Sequence, residues 1–310
     1  MIATAADTEL LTVTGAVRAA AAALRVAGTG TPELDARILA CRASGLGRTQ
    51  LITQSRSVLD PEAAATLREL VARRCNGEPI ARILGQREFW GMDFLLTPAA
   101  LVPRPDSETL VQAALSVIEA GPGRKAPLRI ADLGTGSGCL LVALLAELPA
   151  AFGVGIDISW EAVRTARENA ARNGVGERSA FIAGSWAAAV TGRFDVIVTN
   201  PPYIASSELA ELDVEVSEYE PRIALDGGSD GLGAYRALLP SAVQSLASDG
   251  VFLAEVGAGQ AAAVTRLIVG AGLASEQAWR DLSGIDRAVS ARKQKRSDTQ
   301  KALGKTGRTR

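Results

Sequence analysis

Apolar residues in the first third of the chain recur at the three-to-four-residue spacing of amphipathic helices. One such pattern covers residues 13–27. A second opens at Thr31-Pro32-Glu33, an N-cap, a proline in the first turn and an early acid, and runs through Leu34, Ile38 and Leu39 to Gly45. Asp60-Pro61-Glu62 repeats the device, with Leu67, Leu70 and Val71 on one face and Asn76-Gly77 closing it. These patterns predict a small helical bundle over residues 1–77. Glu78-Pro79 then marks a boundary. Aromatic and branched residues around a polar Gly85-Gln86-Arg87-Glu88 break predict a hairpin-like linker over residues 78–96. Pro98, Pro103 and Pro105 stiffen the next stretch, which leads into a helix through Leu110, Val111, Leu115 and Ile118, ended by Gly121.

From Leu128 the pattern changes to short apolar runs alternating with helical segments. Strands are expected at 129–133, 152–157, 180–183, 194–199 and 251–256, with weaker ones at 274–279 and 287–291. Helices are expected at 137–148, 159–173, 233–247 and 260–271. This alternation predicts an α/β fold, a mostly parallel sheet covered by helices on both faces. No internal repeat interrupts it.

Composition narrows the chemistry. The 310 residues contain no histidine, which excludes a Ser-His-Asp triad, a Cys-His dyad and every histidine-containing zinc site. Cys41, Cys75 and Cys139 are far apart and without Cys-x-x-Cys spacing, so they indicate neither a disulfide framework nor a metal knuckle and fit a reducing cytoplasm. Glu147 and Pro149 interrupt the longest apolar run, and the first residues lack a basic n-region, so neither a membrane span nor a signal peptide is expected. The net charge of −1 conceals a segregation. Residues 292–310 hold eight basic residues and one acid, Asp298, leaving 25 basic against 33 acidic residues before them. The expectation is an acidic body and a basic disordered tail, a solvated extension in preference to a weak RNA tether.

Two segments carry candidate chemistry. Asp132-Leu133-Gly134-Thr135-Gly136-Ser137-Gly138 lies directly between a predicted strand and a predicted helix, where glycines let backbone approach a ligand closely. Asp157 ends the next strand, where an acid can accept hydrogen bonds from ribose hydroxyls, while Ser159 can cap the helix that follows. Together they indicate an adenosine-containing ligand. Asn200-Pro201-Pro202-Tyr203 follows the fourth strand. The Asn200 side-chain oxygen and the Pro201 carbonyl can each accept one N–H of a planar amide or exocyclic amine, and Tyr203 offers a face for it. The prolines hold these acceptors in place. Accepting both N–H groups localises electron density on nitrogen and aims it at an electrophile such as a methyl sulfonium, without a dedicated base.

With these segments, Ile83-Leu84-Gly85, Glu88-Phe89-Trp90-Gly91, Val102-Pro103-Arg104-Pro105-Asp106-Ser107-Glu108 and Ala224-Leu225-Asp226-Gly227-Gly228 stand in an order and spacing that closely resembles the release factor glutamine methyltransferases (PrmC/HemK). The resemblance runs from about Asp35 to Ala291. It implies an N-terminal helical domain that recognises substrate, a β-hairpin linker and, over residues 97–291, a Rossmann-like class I methyltransferase domain with a seven-stranded sheet. It also implies transfer of a methyl group from S-adenosyl-L-methionine to the glutamine amide nitrogen of the Gly-Gly-Gln motif in peptide chain release factors. Carried over by residue, the cofactor loop falls on Gly134, Thr135, Gly136, Ser137 and Gly138, the ribose acid on Asp157, and the adenine-side tryptophan on Trp186. The substrate clamp falls on Asn200, Pro201, Pro202 and Tyr203, with Asn200 also bordering the cofactor. Arg104 either shapes the pocket entrance or serves the structure alone. Ser185 stands where many members have an acid facing the adenine amine.

A nucleic-acid amino methyltransferase, acting on adenine or ribosomal RNA, is the nearest alternative, because adenine presents an NH₂ of the same shape. The net −8 of residues 1–291 argues against it, since such enzymes meet phosphates with a basic face. A non-catalytic adenosine-binding module would leave the clamp without purpose. A nicotinamide dehydrogenase fits poorly with Gly-x-Gly-x-Gly spacing. The expected protein is therefore a cytoplasmic monomeric enzyme whose partner is a release factor, with neither membrane nor direct nucleic acid as a target.

Overall fold

The computed structural model describes residues 12–293. They divide into two compact units: the residues up to Gln86 together with Asp213–Tyr219, and the remainder from Arg87 onward. The segment expected as a self-standing linker over 78–96 is thus shared between them.

The first unit is helical. It contains α1 (Val13–Val26), α2 (Pro32–Ser44), α3 (Arg48–Thr53), α4 (Pro61–Cys75) and α5 (Ile80–Leu84). Thr12 caps α1 by accepting from the Gly15 amide, and Asp60 caps α4 by accepting from Glu62. Thr31 does not cap α2 with its side chain as its position suggests; its hydroxyl donates to Asp35 at 2.9 Å. Asp35 is buried and also takes the Nε of buried Arg74 at 2.7 Å, so a charged acceptor outcompetes the helix amides for that hydroxyl. Arg74 reaches Glu215 as well, and the Tyr219 hydroxyl donates to the Asn76 carbonyl, which anchors Asp213–Tyr219 to the bundle. Leu24, Leu39, Leu67 and Ile83 fill the core.

The hairpin is shorter and later than expected. Residues 80–84 form α5, closed by Gly85 in the left-handed region, and the strands are β1 (Gln86–Phe89) and β2 (Met92–Leu95). The turn is Trp90-Gly91, both with positive φ (54° and 70°), instead of the polar Gly85–Glu88 break. A tryptophan tolerates this because its amide donates to Glu108 and its indole N–H to Glu147.

The second unit is built on a seven-stranded sheet. The chain runs through α6 (Glu108–Ala120), β3 (Arg129–Leu133), α7 (Cys139–Glu147), β4 (Phe152–Asp157), α8 (Trp160–Arg172), β5 (Ser179–Ala183) and β6 (Phe194–Thr199). After the excursion containing α9 (Val214–Ser217) it returns through α10 (Gly233–Ser245), β7 (Leu246–Glu255), α11 (Ala261–Gly270), β8 (Leu273–Arg280) and β9 (Asp286–Lys293). The spatial order is β5-β4-β3-β6-β7-β9-β8, with the first five parallel to one another and β9 antiparallel to both of its neighbours, β7 and β8. Ile130, Val196, Val198 and Leu253 pack on one side with α6, α7 and α8. Their neighbours Ala131, Ile197, Phe252 and Ala254 pack on the other with α10 and α11. This period-two division buries both faces, as a parallel sheet requires.

The expected tail begins two residues too early. Arg292 and Lys293 belong to β9, where Arg292 donates to Glu276 and Lys293 Nζ to the carbonyls of Val243 and Leu246 at 2.8 and 2.9 Å. A charge pattern cannot distinguish a basic edge strand from a basic tail. The other expected tail residues, 294–310, lie outside the described residues. Because Lys293 satisfies carbonyls at the C-terminus of α10, Lys293→Ala is expected to cost about 1–2 kcal/mol in urea unfolding. Lys293→Arg is expected to recover most of that loss.

Candidate active site

Strand order places the site. The chain proceeds outward from β3 through β4 to β5 and then crosses back to β6 on the other side of β3, so the order reverses between β3 and β6. Their carboxyl ends lie side by side, with Leu133 opposite Thr199, and the Thr199 hydroxyl donates to the Leu133 carbonyl at 2.6 Å. The glycine loop and the Asn-Pro-Pro-Tyr segment therefore emerge together at the switch point.

Gly134, Gly136 and Gly138 all adopt positive φ (75°, 55° and 82°), a geometry that needs glycine. The loop is stapled to the end of β4: Gly134 and Thr135 amides donate to the Ile156 carbonyl, and the Gly136 amide to Asp157 Oδ2 at 2.8 Å. The Ser159 amide takes Asp157 Oδ1 at 2.9 Å, while the Ser159 hydroxyl caps α8. Burial raises the Asp157 carboxyl and these backbone donors oppose the rise. Asp132, wholly buried, accepts from the Thr135 hydroxyl at 2.7 Å, and its Oδ1 has no partner. Burial pushes its pKa up to about 7.

A cavity of about 390 Å³ opens here, within the range of small-molecule sites. Gly134, Gly136, Asp157, Trp186, Asn200 and Pro202 all line it, as does Ser185. Thr135 and Ser137 are turned inward and buried, Gly138 packs against Ala166, and Pro201 and Tyr203 stand outside the lining. Trp186 holds a left-handed backbone (φ 50°), and a Cβ on Gly134 would meet its ring at 3.4 Å, so the bare glycine seats the indole against the loop. The buried, unpartnered Asp132 Oδ1 and Ser137 Oγ beside the loop are polar atoms that a cationic, hydroxyl-bearing ligand would suit.

The clamp is held from behind. Asn200 Nδ2 donates to the Ser107 hydroxyl oxygen at 3.1 Å, which turns Asn200 Oδ1 away from Ser107. Gln260 donates to the Tyr203 carbonyl and accepts from the Gly257 amide. Ile204 bridges in parallel to Asp226, so the Ala224–Gly228 motif pins the segment following the clamp. The Tyr203 phenol is raised by burial and by Glu255, whose Oε1 it approaches at 3.4 Å. Arg104 is absent from the cavity lining. It pairs with Glu220 at 3.0 Å, a carboxylate with no exposed side-chain surface that also accepts from the Val102 amide.

Glu255 and Glu220 thus line the back of the site where motif reading alone passes over them, and Ser107, inside a quoted motif, meets Asn200. Glu255 leaves one signal, an acid inside the otherwise apolar run Val251-Phe252-Leu253-Ala254-Glu255-Val256. Among the described residues no cluster of three or more acids or cysteines could hold a metal ion, and no helix is long and apolar enough to cross a membrane.

Comparison with known proteins bears on the family. Residues 15–85 match the family described as the PrmC N-terminal domain, and residues 114–215 match the methyltransferase small domain. A release factor glutamine methyltransferase of Bradyrhizobium diazoefficiens is 50% identical over 282 residues, 91% of this chain and 95% of that protein. Another from Rhodospirillum rubrum is 48% identical over 87% of this chain and 82% of its own length. Among solved structures, the hMettl16 catalytic domain in complex with the MAT2A 3′UTR hairpin 6 superposes with a TM-score of 0.51 at 15% identity, covering 75% of this chain and 81% of that one, a likeness of fold alone. At such identity over nearly full length, the chain belongs to the release factor glutamine methyltransferase family.

Proposed function

We propose that the protein methylates the side-chain amide nitrogen of the glutamine in the Gly-Gly-Gln motif of peptide chain release factors. The observation that carries this reading is the Asn200 amide, held through Nδ2 so that its oxygen is left for a substrate N–H at the edge of the cofactor cavity. S-adenosyl-L-methionine, when bound, supplies an electrophilic methyl group on a cationic sulfur. Asp157 has lone pairs left for ribose hydroxyls after accepting two backbone amides, and Trp186 forms the adenine-side wall. The Asp157 carboxylate, joined by Asp132 as it ionises above about pH 7, favours a cationic ligand.

An amide nitrogen is a weak nucleophile because its lone pair is delocalised into the carbonyl. As it begins to bond to the methyl carbon, whose bond to sulfur would break to leave a neutral thioether, it gains positive character and its two N–H groups become stronger donors. Asn200 Oδ1 and the Pro201 carbonyl then bind the transition state more tightly than the ground state. The nitrogen's surplus proton leaves to water. Pro201 and Pro202 fix the backbone, so little reorganisation is needed.

The cytoplasm, where release factors act, suits the three free thiols. Transfer from labelled cofactor should mark a release factor and leave its Gly-Gly-Gln variant with alanine for glutamine unlabelled. Label found only in DNA or ribosomal RNA, offered in parallel, would overturn the reading.

A further inference from the structure

Two prolines leave the clamp few soft angles. Their rings fix φ at Pro201 and Pro202, and a residue followed by proline is confined to extended backbone, which restricts ψ at Asn200 and Pro201. The entry to the clamp is fixed by β6, where Thr199 pairs with Leu133 on one side and Ala254 on the other. What remains is the exit, at the Tyr203 carbonyl.

Gln260, the residue before α11, holds that exit. Its Nε2 donates to the Tyr203 carbonyl at 2.8 Å, and its Oε1 accepts from the Gly257 amide at 3.1 Å. Both partners are backbone groups, one an acceptor only and the other a donor only, so the side-chain amide fits only one way round. Two glycines make room for it. A Cβ on Gly257 would meet Gln260 Oε1 at 2.8 Å and the Tyr203 ring at 3.1 Å. A Cβ on Gly231, whose φ is 71°, would strike both atoms of the Gln260–Tyr203 hydrogen bond, Nε2 at 2.7 Å. Two separate segments thus keep side chains off this one bond.

We propose that Gln260 is a positioning residue for methyl transfer: by anchoring the Tyr203 carbonyl it fixes the exit of the clamp, and with it the Pro201 carbonyl and the Tyr203 ring that meet the substrate amide. The inference rests on the reading of the clamp given above. The bond to Gly257 holds the turn before α11 and is the purely structural half of the arrangement. The two halves are separable. A glutamate keeps the acceptor for Gly257 but, when ionised, has no donor for Tyr203, and protonation restores one.

The test compares wild type, Gln260→Glu and Gln260→Met by kcat at saturating release factor and cofactor between pH 5.5 and 8.5, with cofactor affinity and thermal melting measured on the same proteins. At pH 8 Gln260→Glu should lose roughly 10- to 100-fold in kcat, the scale of a small misplacement of reacting groups. It should bind cofactor and melt much as wild type does. Its kcat relative to wild type should recover as pH falls and the new carboxyl takes up a proton. Gln260→Met, which has neither donor nor strong acceptor, should lose kcat comparably and show no recovery.

Taking the ratio to wild type at each pH removes the titration common to both proteins, that of Glu255, which burial raises to about 7. Of the other groups on the segments that meet here, Asp226 and Asp230 are held low by Ser206 and Arg236, and burial raises the Tyr203 phenol, so none changes charge in this range. Arg104 and Arg287, which act on that phenol, stay charged. A folded, cofactor-binding Gln260→Glu or Gln260→Met enzyme with wild-type kcat at pH 8 overturns the proposal. So does a Gln260→Glu deficit that is constant with pH, or one carried only by melting temperature or cofactor affinity. Should wild type itself leave release factor unmethylated, it is the functional reading that falls.

Discussion

Asn200→Ala is expected to lower kcat for release factor methylation by about 10²–10³-fold, comparable to removing one preorganised hydrogen-bonding group from an active site. KM for the release factor should change little. The missing acceptor is worth most when the nitrogen carries positive charge, so the loss falls on the transition state. Folding should survive, because the substitution removes one hydrogen bond, to Ser107, at a cost of about 1 kcal/mol. Asn200 also lines the cofactor cavity, so calorimetric titration must accompany the kinetics, and near-normal cofactor affinity is expected. A variant turning over at the wild-type rate would remove Asn200 from the mechanism.

Asp132→Asn should produce the largest change in stability, as a gain. The folded-state pKa of Asp132 is about 7 against an ordinary 3.8, so the folded protein holds this proton more tightly than the unfolded chain. Its contribution therefore favours folding at low pH and is lost as pH rises from about 4 to 7. Asparagine carries no charge and still offers an oxygen to the Thr135 hydroxyl. The variant should exceed wild type in unfolding free energy at pH 8 by at most about 4 kcal/mol, with the difference shrinking towards zero near pH 4. The same variant should bind the cationic cofactor less tightly, because it removes an anion from beside the loop. Urea unfolding at several pH values checks this. A difference independent of pH would show that the buried charge is not its source.

Strands legible by period carry most of the fold. Residues 129–133 and 194–199 are short apolar runs bounded by turn signals, and the structure places strands at both. The glycine loop and the Asn-Pro-Pro-Tyr segment were legible because local backbone chemistry explains them: three glycines for positive φ, two prolines for rigidity. The hairpin turn was not, because Trp90 holds a positive φ through hydrogen bonds that it donates to Glu108 and Glu147, which no local pattern reveals. The β9 boundary was obscured for a similar reason, since Arg292 and Lys293 look like tail until Glu276 and the end of α10 are beside them. Glu255 and Glu220 meet Tyr203 and Arg104 across 52 and 116 positions respectively, distances over which spacing carries no information.

The central claim is that a glutamine side-chain nitrogen receives the methyl group. Fragment-ion mass spectrometry of the Gly-Gly-Gln peptide, taken from a release factor incubated with the enzyme and cofactor, locates it directly. The account predicts one added methyl on the glutamine amide nitrogen, absent when Asn200→Ala replaces the wild-type enzyme. A methyl group on any other residue, or a peptide left unmodified by active enzyme, would contradict it.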